Sequence, residues 1–141
     1  IQIPDGFLRE EAGKQGISLP AAGQYAVGMV FLPQPAPSRA VCEKLIEKYI
    51  SEAGQQVLGW RDVPVDNRGL SEDAKHREPV IRQVFITPGK NCSDQDAFER
   101  RLFVIRKQVE HAVRAKALDG GGAFYIPSLS SRTLVFPSRS S

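Results

Sequence analysis

Long apolar runs are missing from this 141-residue chain. The longest, Ala26 to Pro33 and Phe124 to Leu129, fall far short of the ~20 residues that a membrane helix needs. No basic start leads into an apolar stretch, so no targeting segment is read. Cysteine is scarce: Cys42 and Cys92 stand far apart and form no Cys-x-x-Cys. That argues against a disulfide framework and fits a reducing cytoplasm, with a single disulfide left open. Histidine is limited to His76 and His111, and no repeat or low-complexity stretch occurs. Charge of one sign is also lacking. The net charge of +3 makes no polyanionic partner necessary, although the isoelectric point is near 9.0. What remains is ordinary: 41% hydrophobic and 25% charged residues, the composition of a soluble globular protein. The length suits one domain that buries about 70% of its unfolded surface, and residues 1–141 are read as a single domain. The chain opens on Ile1 and closes on Ser-Arg-Ser-Ser. Both ends read as cuts through a longer polypeptide, and a processed or engineered chain would look alike.

Periodicity supplies the elements. Asp5 to Lys14 predicts a helix with Phe7, Leu8 and Ala12 near one face, ended by Gly16 and Pro20. Tyr25 to Leu32 is a short continuous apolar run between Gly23 and Pro33, the mark of a strand covered on both faces. Three prolines between Pro33 and Pro37 predict a stiff link. A helix capped by Ser38 then runs to about Ala53, burying Val41, Cys42, Leu45, Ile46, Tyr49 and Ile50, with Gly54 at its left-handed end. Gln56 to Val63 predicts a strand with Val57, Gly59, Arg61 and Val63 on one face and Leu58 and Trp60 on the other. Asp66 to Glu78 is polar and suits a helical turn within a loop. Val80 to Thr87 alternates with apolar residues on both faces and stops at Pro88-Gly89. Ser93 and Asp96 form a helix-start signature, followed by a stripe of Phe98, Leu102, Ile105, Val109 and Ala112 reaching Leu118. Ala123 to Leu129 and Thr133 to Phe136 complete the strands. The class is α+β. Its β-α-β-β-α-β order is that of a ferredoxin-like split βαβ unit, with two helices on one face of a mixed sheet.

No constellation of reactive groups stands out. His76 and His111 lack ligand partners at helical or hairpin spacing. Cys42 lies on a buried helical stripe, where a structural thiol is expected. Cys92 precedes a helix start, which lowers a thiol pKa, yet no matched His accompanies it. Gly120-Gly121-Gly122 runs from helix to strand, opposite to phosphate-cradling loops, and reads as a cap and turn. Arg100, Arg101, Arg106, Lys107, Arg114 and Lys116 scatter around their helix, and Asp96 and Glu110 stand one turn before Arg100 and Arg114. A solvated helix face with exposed ion pairs follows. The strand order also suits an RNA-recognition module, but neither central strand carries that module's basic-Gly-aromatic signature. No catalytic, cofactor-binding or metal residue is assigned in this segment.

Several stretches resemble a known family. They are Ile3-Pro4-Asp5-Gly6-Phe7-Leu8-Arg9, Gly23 to Pro33, Val57-Leu58-Gly59-Trp60-Arg61-Asp62-Val63-Pro64-Val65-Asp66 and Glu78 to Phe85. Phe98 to Lys107 and Phe124 to Phe136 continue in the same order. Together they are similar to the glutaminase region of bacterial glutamate synthase large chains, collinearly over nearly the whole sequence. The resemblance implies an internal part of an N-terminal class II glutamine amidotransferase domain, an αββα sandwich of the N-terminal-nucleophile type. In that family an N-terminal cysteine attacks glutamine with its own α-amino group as base. An Asn-Gly pair holds the oxyanion, and an Arg and an Asp hold the substrate.

The resemblance places the family's Cys-Gly-Val-Gly start upstream of Ile1, and its Ser-Arg-Phe-Ser-Thr-Asn-Thr and His-Asn-Gly-Glu-Ile-Asn motifs downstream of Ser141. Ser131-Arg132-Thr133 does not match them, Asn67 is followed by Arg68 rather than Gly, and Pro137-Ser138-Arg139 replaces an expected Lys-Gly-Met. The expectation is a structural segment without the active site. The parent enzyme would be cytoplasmic, would aminate 2-oxoglutarate with the released ammonia, and would use FMN, an iron–sulfur cluster, and NADPH or ferredoxin. Partners would be the other domains of the large chain, with self-association through cut sheet edges and no nucleic acid or membrane. A free-standing ferredoxin-like regulatory or protein-binding module is the alternative.

Overall fold

The computed structural model describes residues 1–65, 68–69, 71–73, 78–90 and 92–135. His76, Asn67, Phe136 and most of the turn expected between Asp66 and Glu78 fall outside them. The described elements are α1 (Asp5–Lys14), β1 (Ala26–Leu32), α2 (Ala36–Glu52), β2 (Gln56–Asp62), β3 (Val80–Thr87), α3 (Gln95–Lys116) and β4 (Tyr125–Ser130), with a 3-10 turn at Gly121–Ala123. The sheet order is β2-β3-β1-β4, the split βαβ arrangement expected from the element order. Every pairing is antiparallel, β1 with β3 and β4 and β2 with β3. The mixed sheet expected from the sequence is therefore corrected: each helical crossover returns the chain to the sheet with one strand left between the two it connects.

Two cores share this sheet. On one face, Ala26, Val30 and Leu32 of β1 and Val84 and Ile86 of β3 pack against Cys42, Ile46 and Ile50 of α2 and Phe98, Leu102, Ile105, Val109 and Val113 of α3. On the other, Val27, Met29, Ile81 and Phe85 meet Leu8 and Ala12 of α1, then Ile17, Leu19, Tyr25 and Leu134. The unbroken apolar run of β1 follows from that double cover. Gly28 sits where β1 is flanked on both sides: a Cβ there would meet Val84 Cγ1 at 2.8 Å and Leu129 Cδ1 at 2.9 Å.

Several expectations shift by a residue or more. α2 begins at Ala36, with Pro37 in its first turn, where a missing N–H costs nothing. Ser38 is thus inside the helix and buried, and caps nothing. α3 is capped by Asp94, whose carboxylate accepts from the Ala97 N–H at 2.8 Å, and Val113 replaces Ala112 on the buried stripe. In β2 a bulge between Val57 and Gly59 breaks the alternation. Val57 and Trp60 join the α2–α3 side, whereas Leu58 and Val63 join the α1 side. Gly59 faces the segment that follows α1, and a Cβ on it would strike Ile17 at 2.7 Å. After β4, residues 132–134 form no full strand and bridge instead to the start of the chain, Gln2 opposite Thr133.

Candidate functional site

Among the described residues, the candidate reactive groups Cys42, Cys92 and His111 sit in three different settings. Cys42 has no exposed surface, and burial, helped by the neighbouring Glu43 charge, pushes its thiol up to about 11. At neutral pH it is a protonated core residue. Cys92 is half-buried, with the Gln55 amide 4.0 Å from its sulfur. It borders a small cavity of about 90 Å³ with Gly23, Gln24 and Asp94. His111 is exposed on α3, and its neighbour Glu110 accepts from Arg106 at 3.1 Å. Among the described residues no three His, Cys, Asp or Glu side chains converge to hold a metal. The triple glycine does not cap α3, whose left-handed cap is Ala117; it forms the 3-10 turn into β4, with Gly120 left-handed against Pro35.

The basic residues of α3 are distributed as the sequence suggests, but their partners differ. Asp96 pairs with Arg132, beyond β4, and Glu110 pairs with Arg106; these replace the expected pairing with Arg100 and Arg114. Arg101 donates to the Ala53 carbonyl at 3.0 Å and ties α3 to the end of α2. The sheet face that an RNA-recognition module leaves open to stack bases is covered here. Val27, Met29 and Phe85 on that face have no exposed surface, under α1 and Leu134.

Polar chemistry concentrates in three structural clusters. In the first, Tyr25, which is buried, donates its hydroxyl to Asp5 Oδ1 at 2.6 Å. Arg9 donates to the same carboxylate oxygen at 3.0 Å and to the carbonyls of Leu19 and Pro20 at 2.7 and 2.8 Å. The Tyr25 hydroxyl, and after it Arg9, hold the Asp5 carboxyl below the usual carboxylate range, while burial and then the Asp5 contact raise the Tyr25 phenol well above its ordinary value. In the second, Glu99 of α3 accepts from Ser130 Oγ at 2.5 Å and from the Ser131 N–H at 3.1 Å. Ser130 Oγ in turn accepts from the N–H groups of Arg132 and Thr133. In the third, Arg82 bridges Glu43 of α2 and Asp62 of β2 at 2.5 and 2.8 Å and lies 5.2 Å from the Trp60 ring centre. Beneath α1, buried Arg61 donates to the buried Gln83 Oε1 at 2.6 Å. Sequence reading missed Glu99, because a carboxylate on a charged helix face carries no signal of its own. Its one clue was the Ser130-Ser131 pair ending a strand, which needs an acceptor.

These clusters bind elements to one another, and none joins a nucleophile, a base and oxyanion donors. The family model for class-II glutamine amidotransferases matches residues 1–139. The NADPH glutamate synthase large chain of Bacillus subtilis (strain 168) is 44% identical over 136 residues, 96% of this chain and 9% of that protein. The NADH glutamate synthase of Schizosaccharomyces pombe is 36% identical over 142 residues, covering 95% of this chain and 6% of the relative. The chloroplastic ferredoxin-dependent glutamate synthase of Oryza sativa subsp. japonica is 36% identical over 134 residues, 95% and 8% respectively. This chain therefore spans less than a tenth of each of these relatives, and it belongs to the class-II glutamine amidotransferases.

Proposed function

We propose that this segment is the structural body of a glutaminase domain in a glutamate synthase, and that it contributes no catalytic, cofactor or metal residue itself. The observation that carries the reading is the family match across residues 1–139 on a fold whose polar clusters tie its elements to one another. Its reactive side chains support this. The Cys42 thiol is buried and protonated, and no His is among the described residues that line the cavity beside Cys92. The parent enzyme would release ammonia from glutamine and use it to aminate 2-oxoglutarate in the cytoplasm. FMN, an iron–sulfur cluster and either NADPH or ferredoxin would serve in domains outside residues 1–141, and those domains are the partners. Among the described residues no helix is long and apolar enough to cross a membrane.

The test is an ammonia-release assay on the 141-residue polypeptide with glutamine as substrate. The expected outcome is no release above the blank. Release above the blank would overturn the assignment of a purely structural role, and its loss on changing Cys42 or Cys92 to Ala would identify the nucleophile.

A further inference from the structure

The chain enters and leaves the four-stranded unit at one place. Gln2 and Thr133 are antiparallel partners. The Ile3 N–H donates to the Arg132 carbonyl at 3.1 Å, and the Leu134 N–H donates to the Ile1 carbonyl at 2.9 Å. With those two bonds on either side, Gln2 and Thr133 form a non-hydrogen-bonded pair, so the Gln2 N–H and carbonyl point away from the partner strand. The ribbon lies on the α1 side of the sheet. Its inner residue Leu134 is fully buried and Ile3 packs beside it, while Ile1 and Val135 at its outer end are 74% and 46% exposed. Beside it opens a cavity of about 420 Å³ lined by Gln2, Asp5, Gly23, Tyr25, Arg132 and Thr133. The Asp5–Tyr25 and Asp96–Arg132 contacts stiffen two of its walls.

We propose that this ribbon is the neck of a self-contained split βαβ module, and that the outer edge of Gln2, with Ile1 and Val135, receives an extended segment from the rest of the glutaminase domain. The inference rests on the function proposed above. Three observations favour this place. The matched relatives continue far beyond the matched span, which is 9% of the Bacillus subtilis protein. Any flanking chain is tethered at the ribbon itself, so its effective concentration there is high. The ribbon also offers what a docking strand needs, an outward backbone edge together with flanking apolar side chains. Of the other exposed apolar residues, Phe7 of α1 and Phe103 and Val104 of α3 lack such an edge, and Tyr125 on the edge strand β4 has its ring edge-on to Phe31, 6.1 Å away. Lys107 also lies over the Phe103 ring at 5.6 Å, and single exposed apolar residues of this kind are common on surfaces.

The neck and the docking edge separate by amide exchange and side-chain oxidation, measured on the 141-residue chain and on the full-length polypeptide. In the short chain the Ile3 and Leu134 amides should exchange about tenfold or more slowly than unstructured amides, and the Gln2 amide should exchange freely. In the full-length protein the Gln2 amide should become protected and Ile1 and Val135 should lose most of their oxidation, with Phe103 unchanged. A short chain without protected sheet amides, or with a protected sheet but free Ile3 and Leu134, would overturn the neck. Unchanged Gln2, Ile1 and Val135 in the full-length protein would overturn the docking edge, and shielding of Phe103 and Val104 instead would move it to α3. Ammonia release by the short chain would remove the structural-body reading and leave these exchange patterns standing, so the two failures are distinguishable.

Discussion

Tyr25 and Asp5 share a hydrogen bond of 2.6 Å, and the two groups respond to pH in opposite directions. The Asp5 carboxyl is held below its unfolded value, so its contribution is fully present above about pH 4 and fades as pH falls through the lower folded pKa. The Tyr25 phenol is raised, so its contribution is complete below about pH 10 and is lost as pH climbs toward the folded value. Chemical denaturation across pH should show both arms. Tyr25→Phe should abolish the alkaline loss and cost about 1.5–3 kcal/mol at neutral pH, the usual worth of a hydrogen bond to a charged acceptor. Asp5→Asn should flatten only part of the acid arm, because the Asp5 side chain is 36% exposed and solvent weakens its interactions. An alkaline loss unchanged in Tyr25→Phe would show that another group titrates there. Asp5 and Tyr25 were legible in sequence only as a helix start and a strand start, since a bond spanning twenty positions leaves no local pattern.

Between elements, the Glu99 contact to Ser130 and Ser131 holds α3 onto the end of β4. Glu99→Ala would leave the Ser130 hydroxyl and the Ser131 N–H without their acceptor, at a cost of about 1.5–3 kcal/mol. It should also speed amide exchange at Arg132 and Thr133, which share Ser130 Oγ. Stability within about 0.5 kcal/mol of the unaltered chain would show that water replaces the carboxylate without loss. A second test falls on β1. Gly28→Ala places a methyl within 3 Å of Val84 and Leu129, and overpacking should cost about 1–3 kcal/mol in a denaturant titration. The same elements show what sequence can carry. α1 and β3 match their expected bounds, because periodicity and breakers act locally there. β2 defeated the alternation rule, because its bulge at Leu58 lets Ile17 lie over Gly59, a contact between residues forty-two positions apart. The helix start at Ala36 was misplaced because Ser38 and Pro37 each suit more than one position near a helix end.

At the scale of the whole molecule, one sheet separates two cores, and that predicts how they fail together. Phe98 belongs to the core under α2 and α3, and Phe85 belongs to the core under α1. Neither side chain exposes more than 1% of its surface, so Phe98→Ala and Phe85→Ala should each cost about 3–5 kcal/mol. The two rings lie on opposite faces, yet their destabilisation should appear in a single transition. β1 and β3 are central strands with residues in both cores, so neither core can melt while the other keeps its sheet. Fluorescence of Trp60, whose ring packs on the α2–α3 side, and far-ultraviolet dichroism should therefore trace coincident curves for the unaltered chain and for Phe85→Ala. If Phe85→Ala instead melts α1 early while the Trp60 signal persists, the α1 core is a separate folding unit, and the shared sheet does not enforce cooperativity. Coincident curves would identify the sheet as the structure through which both helical layers stabilise each other. With total stabilities of about 5–15 kcal/mol typical of a domain, the double variant should then fail to fold, although the two rings sit in separate cores.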